Sequence, residues 1–484
     1  MWTEAIASPS TVPAGLGLTK RPERRALLPI VILIVAWAIF VPQGSQAMYA
    51  IALLAAATAA ALLGWAQSWL AALFVIAVAL LIGTEARGEL GRGSALFGSL
   101  RILDVTLLAA GAGLVARAIA EHGLGQIRRR RVAALRAPSP AGWIVVATAA
   151  WAVAAWLAHG ADVSPLLRTD VRLLLLALGM LIVARMVLPG HASQLAFGLL
   201  ALTPALAVKS AVIYFSGAFA VGSFDRLQAS AGYFPTHRVL LVGGDTLFIL
   251  VPAIALAVAM RERSPAARWC CLVAGASAFV GLLLSGTRTG LLVAIALALA
   301  TLVIARGRQL FAASPRLVAL ALLALFAIGA GAAGTGIAQR LTQRDNPHTG
   351  LSFRADEIRS ASRLSTRDLV IGQGLGGSFM SKDVNGAPVR AAWSHVMPIW
   401  IVLKVGILGM VALFFALALF ARRAIRGGRA DPVGPALVGS LLFGGLVVMS
   451  LTINRLGQPE GALLAVAGVV LVCQSAGTQR VACA

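Results

Sequence analysis

The feature that most constrains this chain is the recurrence of predominantly apolar runs of nearly one length. A bilayer's hydrocarbon core is about 30 Å thick, so a helix rising 1.5 Å per residue needs about 20 apolar residues to cross it. By that measure about fourteen segments qualify: 26–42, 47–65, 67–84, 100–121, 143–160, 172–190, 195–216, 239–260, 269–286, 289–306, 316–334, 397–420, 432–452 and 459–475. Composition agrees. Hydrophobic residues make up 59% of the 484 residues and charged residues only 12%, with a mean hydropathy of +0.88. A soluble domain is about a quarter charged, and no soluble core could hide so much apolar surface. The expectation is an all-α, polytopic transmembrane bundle of about 12–14 spans, with one long loop that contains short helices and no sizeable soluble domain.

The formal net charge of +23 would point to nucleic acid in a soluble protein. Here most arginines lie between apolar runs, as the positive-inside rule requires, and nucleic acid is not expected as a partner. Lys20 to Arg25, Arg128 to Arg131 with Arg136, Arg261/Arg263/Arg268, Arg306/Arg308/Arg316 and Arg422/Arg423/Arg426/Arg429 recur at every second connection. With all of them in the cytoplasm, both termini are expected inside, and the chain is read as a multi-pass protein of a bacterial inner membrane. The stretch before residue 26 resembles a signal-peptide n-region, but no small-residue cleavage site follows, so the first span is read as retained. The expected organisation is a cytoplasmic segment 1–25, spans within 26–334, a periplasmic loop 335–396, spans within 397–475 and a cytoplasmic tail 476–484. The four cysteines (Cys270, Cys271, Cys473 and Cys483) show no zinc-type spacing.

In this topology three polar places face outward. Arg226 lies in Ser223 to Gln228, with Arg238 closing Tyr233 to Arg238. Arg288 sits in the tight turn Ser285-Gly286-Thr287-Arg288-Thr289-Gly290. His395 follows Trp393-Ser394 just before the span at Met397. An arginine at a span end ordinarily snorkels to headgroups, and an isolated histidine is ordinarily a surface residue. Their convergence on one side, under a topology set by other arginines, is what singles them out. Guanidinium forks bind phosphate oxygens in pairs, and histidine takes a proton near neutral pH. Together they suit the attack of a hydroxyl on a sugar whose leaving group is a lipid diphosphate.

The long loop adds a short helical region, Phe353 to Arg367, holding Arg354 and Glu357. It leads to Ile371-Gly372-Gln373-Gly374-Leu375-Gly376-Gly377. That glycine stretch has the letters of G-x-G-x-x-G without the strand–turn–helix context of a dinucleotide site. It is read instead as a flexible turn that positions the His395 side. Asp356 and Glu357 are adjacent and so do not face each other on a helix. No carboxylate cluster is present to hold a cation, and neither metal nor cofactor is expected. Asp104, Lys209 and Asp245 fall in or near spans, as pathway residues or as members of internal ion pairs.

Taken in order, these parts resemble the O-antigen ligase and O-antigen polymerase superfamily of bacterial polysaccharide assembly. The parts are an outward arginine (Arg226), an S-x-x-R-T-G turn (Arg288), and a long loop. The loop runs from an R-x-x-E-like helix (Arg354, Glu357) through Gly372, Gly374 and Gly376 to Ser394-His395, and a span with Gly406-Ile407-Leu408-Gly409 follows it. The resemblance covers roughly residues 200–420. It implies a glycosyltransferase whose donor is an undecaprenyl-diphosphate-linked glycan and whose acceptor is another glycan or a lipid A core. His395 would be the loop histidine and Arg226 and Arg288 the diphosphate ligands, with Arg354, Glu357 and Gly374 as further loop contributors. Val396 stands where many members have Asn, and Thr236-His237-Arg238 where many have another Asn, which leaves Arg226 and Arg238 both open as the first phosphate ligand. The alternative from another class is a polysaccharide or small-molecule transporter, which predicts inverted repeats and helices broken in matching positions.

Overall fold

A computed structural model of the chain describes residues 46–82, 95–96, 100–134, 140–160, 165–185, 191–216, 226–228, 238–240, 244–259, 264–285, 288–306, 351–382, 388–391, 394–430, 435–451, 454 and 456–482. The expected spans 26–42 and 316–334, the segment 1–25 and Trp393 lie outside these residues. The described chain is mostly helical: α1 (Gln46–Ala66), α2 (Ser68–Ile82), α3 (Ile102–Ala134), α4 (Pro140–Ala158), α5 (Pro165–Arg185), α6 (Ala192–Ser216), α7 (Gly244–Ala259), α8 (Pro265–Ser285), α9 (Arg288–Arg306), α10 (Leu351–Ala361), α11 (Thr366–Ile371), α12 (Met397–Ala430), α13 (Pro435–Ser450) and α14 (Pro459–Ala482). Three two-stranded antiparallel ribbons join them: β1 (Ala95–Leu96) with β2 (Leu100–Arg101), β3 (Arg226–Gln228) with β4 (Arg238–Leu240), and β5 (Phe379–Lys382) with β6 (Pro388–Ala391).

Among the described residues, four helices contain a segment long and apolar enough to cross a membrane: Leu103–Ala120, Ala192–Phe215, Pro265–Ser285 and Met397–Arg423. Shorter apolar helices pack between them. This is an all-α membrane-protein architecture, and its surface fits that solvent: Leu54, Leu62, Trp143, Leu175, Phe215 and Trp269 are all exposed. The core is centred on α2 and α7. In α2 nearly every side chain from Trp69 to Leu81 is buried, and α7 is buried on all its faces. A helix apolar all round belongs in the middle of a bundle.

Several boundaries depart from the hydropathy ruler. The run expected at 172–190 is a helix from Pro165, because proline suits a first helical position and the charges behind it are paired inside the bundle. Arg172 donates to both oxygens of Asp104 at 3.0 and 3.1 Å, and Asp170 meets Lys404. Helices α3 and α12 extend well beyond their apolar runs and carry Arg128 to Arg131 and Arg422/Arg423/Arg426/Arg429 as helical overhangs. Of the residues expected to form the long loop, the described ones include the expected short helices as α10 and α11, with the β5–β6 ribbon in addition.

The packing brings several connections to one end of the bundle. Gly281, near the end of α8, lies against Phe248, near the start of α7. Gly445, near the end of α13, lies against Leu250. The ends of α8 and α13 therefore neighbour the start of α7, and Arg288, which opens α9, is at that end as well. The β3–β4 ribbon packs beside α6 and α8 and leads directly into α7.

Candidate active site

Helix α10 carries one carboxylate into the protein. Glu357 is 2% exposed, although Asp356 and Arg359 beside it form an outward pair at 3.1 Å. A buried carboxylate needs donors for its lone pairs. Glu357 finds them in Ser394 and His395, just before α12. The Ser394 hydroxyl donates to Oε2 at 3.0 Å, and the His395 N–H reaches Oε1 and Oε2 at 3.3 and 3.2 Å. His395 Nδ1 stands 3.0 Å from Oε1. Ser394 Oγ also accepts the Val396 N–H at 3.1 Å, fixing the turn that starts the helix. On the other side, the His395 carbonyl accepts the Asn454 N–H at 2.7 Å, from the turn between α13 and α14. The side chains differ sharply in exposure, 3% for Glu357 and 30% for His395.

This geometry has a definite chemical consequence. A carboxylate facing Nδ1 favours the tautomer with the proton on Nδ1, which puts the basic lone pair on Nε2. It also stabilises the imidazolium that forms when Nε2 takes a proton, the role of the acid in a hydrolase triad.

The glycine segment is not the flexible turn read from the sequence. It is a buried strap wedged between α4 and a break in α12. Gly406 has φ 69° and ψ −178°, a conformation open to glycine alone, and the helix is interrupted there. The break releases the carbonyls of Leu403 and Lys404, and the strap takes them: Gln373 N–H donates to Leu403 O at 2.9 Å and Gly374 N–H to Lys404 O at 3.1 Å. Gly372, Gly374 and Gly376 all have φ near +80°, and a Cβ on Gly374 would run into the backbone of Trp156. Leu375 N–H donates to Ala152 O at 3.3 Å and Gly376 N–H to Asp170 Oδ2 at 2.7 Å.

Short helix α11 is capped by Ser365, whose side chain accepts the Asp368 N–H, and is tied to α4 through His159 Nε2 and Asp368 Oδ1 at 3.0 Å. Partial burial works against the Asp368 carboxylate, but hydrogen bonds from His159, Gln373 and Ser365 and the charge of His159 hold its pKa below the usual value. Gln373 completes the tie by donating to Asp368 and accepting the Ser378 N–H at 2.8 Å.

The residues singled out in the sequence fall as follows. His395 and Glu357 are brought into contact. Arg354 lies one turn before Glu357 on α10, half-buried. Gly374 belongs to the strap, against the backbone of Trp156. Arg226 and Arg238 are on opposite strands of the β3–β4 ribbon. The register pairs Arg226 with Leu240 and Gln228 with Arg238, so the two arginines occupy diagonal positions. Arg288 is the first residue of α9. The described backbone places all three arginines at the bundle end that also holds the α13–α14 turn bonded to His395.

Sequence reading passed over Asn454, Asp170 and Lys404. Lys404 lies inside an apolar stretch that a window average absorbs, Asp170 stands in the polar run Arg168 to Arg172 at the edge of an expected span, and Asn454 stands in a short polar turn, Asn454 to Glu460, that carries no motif. Of the internal charges, Asp104 pairs with Arg172, and Lys209 donates to Leu81 O. Among the described residues, no three His, Cys, Asp or Glu side chains gather as a metal-holding group. No family model matches the chain, and no curated protein matches it.

Proposed function

We propose that the protein is a metal-independent, inverting glycosyltransferase of the bacterial inner membrane, working at the periplasmic face as an O-antigen ligase or O-antigen/exopolysaccharide polymerase. The observation that carries this reading is the buried Glu357 held 3.0 Å from Nδ1 of a half-exposed His395. An acceptor hydroxyl attacks the anomeric carbon of a glycan linked to undecaprenyl diphosphate. The bond from that carbon to the diphosphate oxygen breaks with inversion, and the hydroxyl proton passes to His395 Nε2. Glu357 orients the ring and balances the imidazolium. Arg288, with Arg226 or Arg238, holds the departing diphosphate, whose charge a guanidinium matches in pairs of hydrogen bonds. Arg354, on the helix that carries Glu357, is a further contributor from the loop.

The transporter alternative has one feature in its favour, the break in α12 at Gly406, since transporters often bind cargo at broken helices. The carbonyls released by this break are taken by strap N–H groups of the same chain, which leaves them no part in holding a cargo.

The decisive assay supplies purified protein with a synthetic undecaprenyl-diphosphate oligosaccharide and a glycan or lipid A-core acceptor. Transfer with release of the lipid diphosphate, lost in His395→Ala, is the expected result. A reporter fused near Asn385 should behave as exported, and a cytoplasmic signal there would put the site in the wrong compartment.

A further inference from the structure

The amide of Asn454 is left over from everything the fold asks of this residue. Its backbone N–H holds the His395 carbonyl at 2.7 Å, and its Oδ1 accepts the Gly457 N–H at 3.0 Å, closing the turn that Leu456 N–H and Ser450 Oγ tighten at 3.1 Å. Those duties need only a short side chain with an acceptor oxygen, which Asp supplies as well and Ser or Thr more weakly. What Asn adds is an Nδ2 with two N–H donors. Among the described residues that atom has no hydrogen-bond partner, and it is buried in a residue that is 0% exposed. Buried donors without partners are rare, because desolvating them is unfavourable unless something repays it.

We infer that Asn454 is a carbohydrate-binding residue: its Nδ2 donates to an oxygen of a sugar hydroxyl, beside the histidine that its own backbone positions. The inference deepens the glycosyl-transfer reading and rests on it for the role of His395. The chemistry selects the ligand class. A diphosphate calls for charged forks, whereas a neutral amide pairs with neutral oxygens that both give and accept hydrogen bonds, as sugar hydroxyls do. The amide belongs to the residue whose N–H holds the His395 carbonyl, so a sugar brought to His395 comes beside it. The hydrogen bond then formed satisfies a donor that is otherwise unpaired.

The test compares wild type with Asn454→Ser and Asn454→Thr, both of which keep an uncharged oxygen for Gly457 and the N–H for His395 while removing the amide. The detergent-solubilised full chain is probed with an array of oligosaccharides of defined terminal sugars, and its melting temperature is measured in parallel. The expected result is glycan retention by wild type, weakened at least about tenfold in both variants at unchanged melting temperature, as loss of a hydrogen bond to a buried partner gives. Equal retention by wild type and variants overturns the inference. So does a fall in melting temperature that accounts for the loss, or a wild type that retains no glycan. In the transfer assay, a raised KM for the acceptor alone places the sugar on the acceptor, and a raised KM for the donor alone places it on the donor. Glycan binding by wild type without any transfer would sink the enzyme reading and leave the Asn454 assignment standing.

Discussion

Asp170 Oδ2 lies 2.6 Å from Lys404 Nζ, and the same oxygen accepts the Gly376 N–H at 2.7 Å. One carboxylate oxygen thus joins α5, α12 and the glycine strap, while Lys404 also donates to the Gly377 carbonyl at 2.9 Å. The pair sits beside the break at Gly406, and it secures the N-terminal piece of α12, which begins two residues after His395.

Removing one member of this pair leaves the other as an uncompensated buried charge, which costs about 3–5 kcal/mol. Lys404→Met and Asp170→Asn should each lower the melting temperature in detergent markedly. The double variant should recover part of the loss, because neither charge is then stranded. Strictly additive losses would mean that the two side chains do not act as a pair.

Gly374→Ala tests the strap itself. The residue has φ 82°, and a Cβ there meets the Trp156 backbone, so alanine is both strained and obstructed. The strain alone is worth about 1–3 kcal/mol. The variant should be clearly less stable, with transfer falling as the strap leaves the helix break. Gly111→Ala, in α3, meets nothing within 4 Å and should be neutral or slightly stabilising.

These sites show where sequence reading stops. Run length located the helices because the bilayer imposes a length on each segment independently, and twelve of the expected runs coincide with described helices. The same logic misplaced the start of α5. Arg168, Asp170 and Arg172 look too polar to lie in a helix that packs within the bundle, and the partners of the last two, Lys404 and Asp104, are far away in sequence. His395 and Glu357 were both legible, through residue type and order, but their contact spans 38 residues and has no local signature. The glycines were visible, yet three glycines in a row of alternate positions read equally as looseness. Only the carbonyls of Leu403 and Lys404, freed by a fourth glycine at position 406, explain why the strap is fixed. Asn454 had no signal at all, since what marks it is an atom that lacks a partner among the described residues.

Arg288 should be essential to transfer. Arg288→Ala is expected to abolish it, and Arg288→Lys to fail largely as well, because lysine keeps the charge but loses the paired hydrogen bonds to a diphosphate. Arg226→Ala should behave similarly and Arg238→Ala less severely. Arg129→Ala, in the basic overhang of α3, should be nearly silent. Full transfer by Arg288→Ala at normal protein levels would remove the diphosphate role.

The His395–Glu357 pair separates proton transfer from binding. A hydroxyl is a poor nucleophile until its proton has somewhere to go, and a positioned base is worth about a hundred- to ten-thousandfold. His395→Ala should therefore reduce turnover at least about a hundredfold while donor-lipid binding stays nearly intact. Glu357→Gln keeps the side chain's shape and one acceptor oxygen but removes the charge that balances the imidazolium. It should lower kcat at least about tenfold with little change in KM, since the balance matters only as the proton arrives. Glu357→Ala should do more, because it also withdraws the acceptor shared by Ser394 and the His395 N–H and so loosens the start of α12. Excess chelator should leave the wild type active, with the arginines supplying the positive charge at the leaving group. A chelator-sensitive reaction, or normal turnover by His395→Ala, would show this mechanism to be wrong even if the protein transfers glycans.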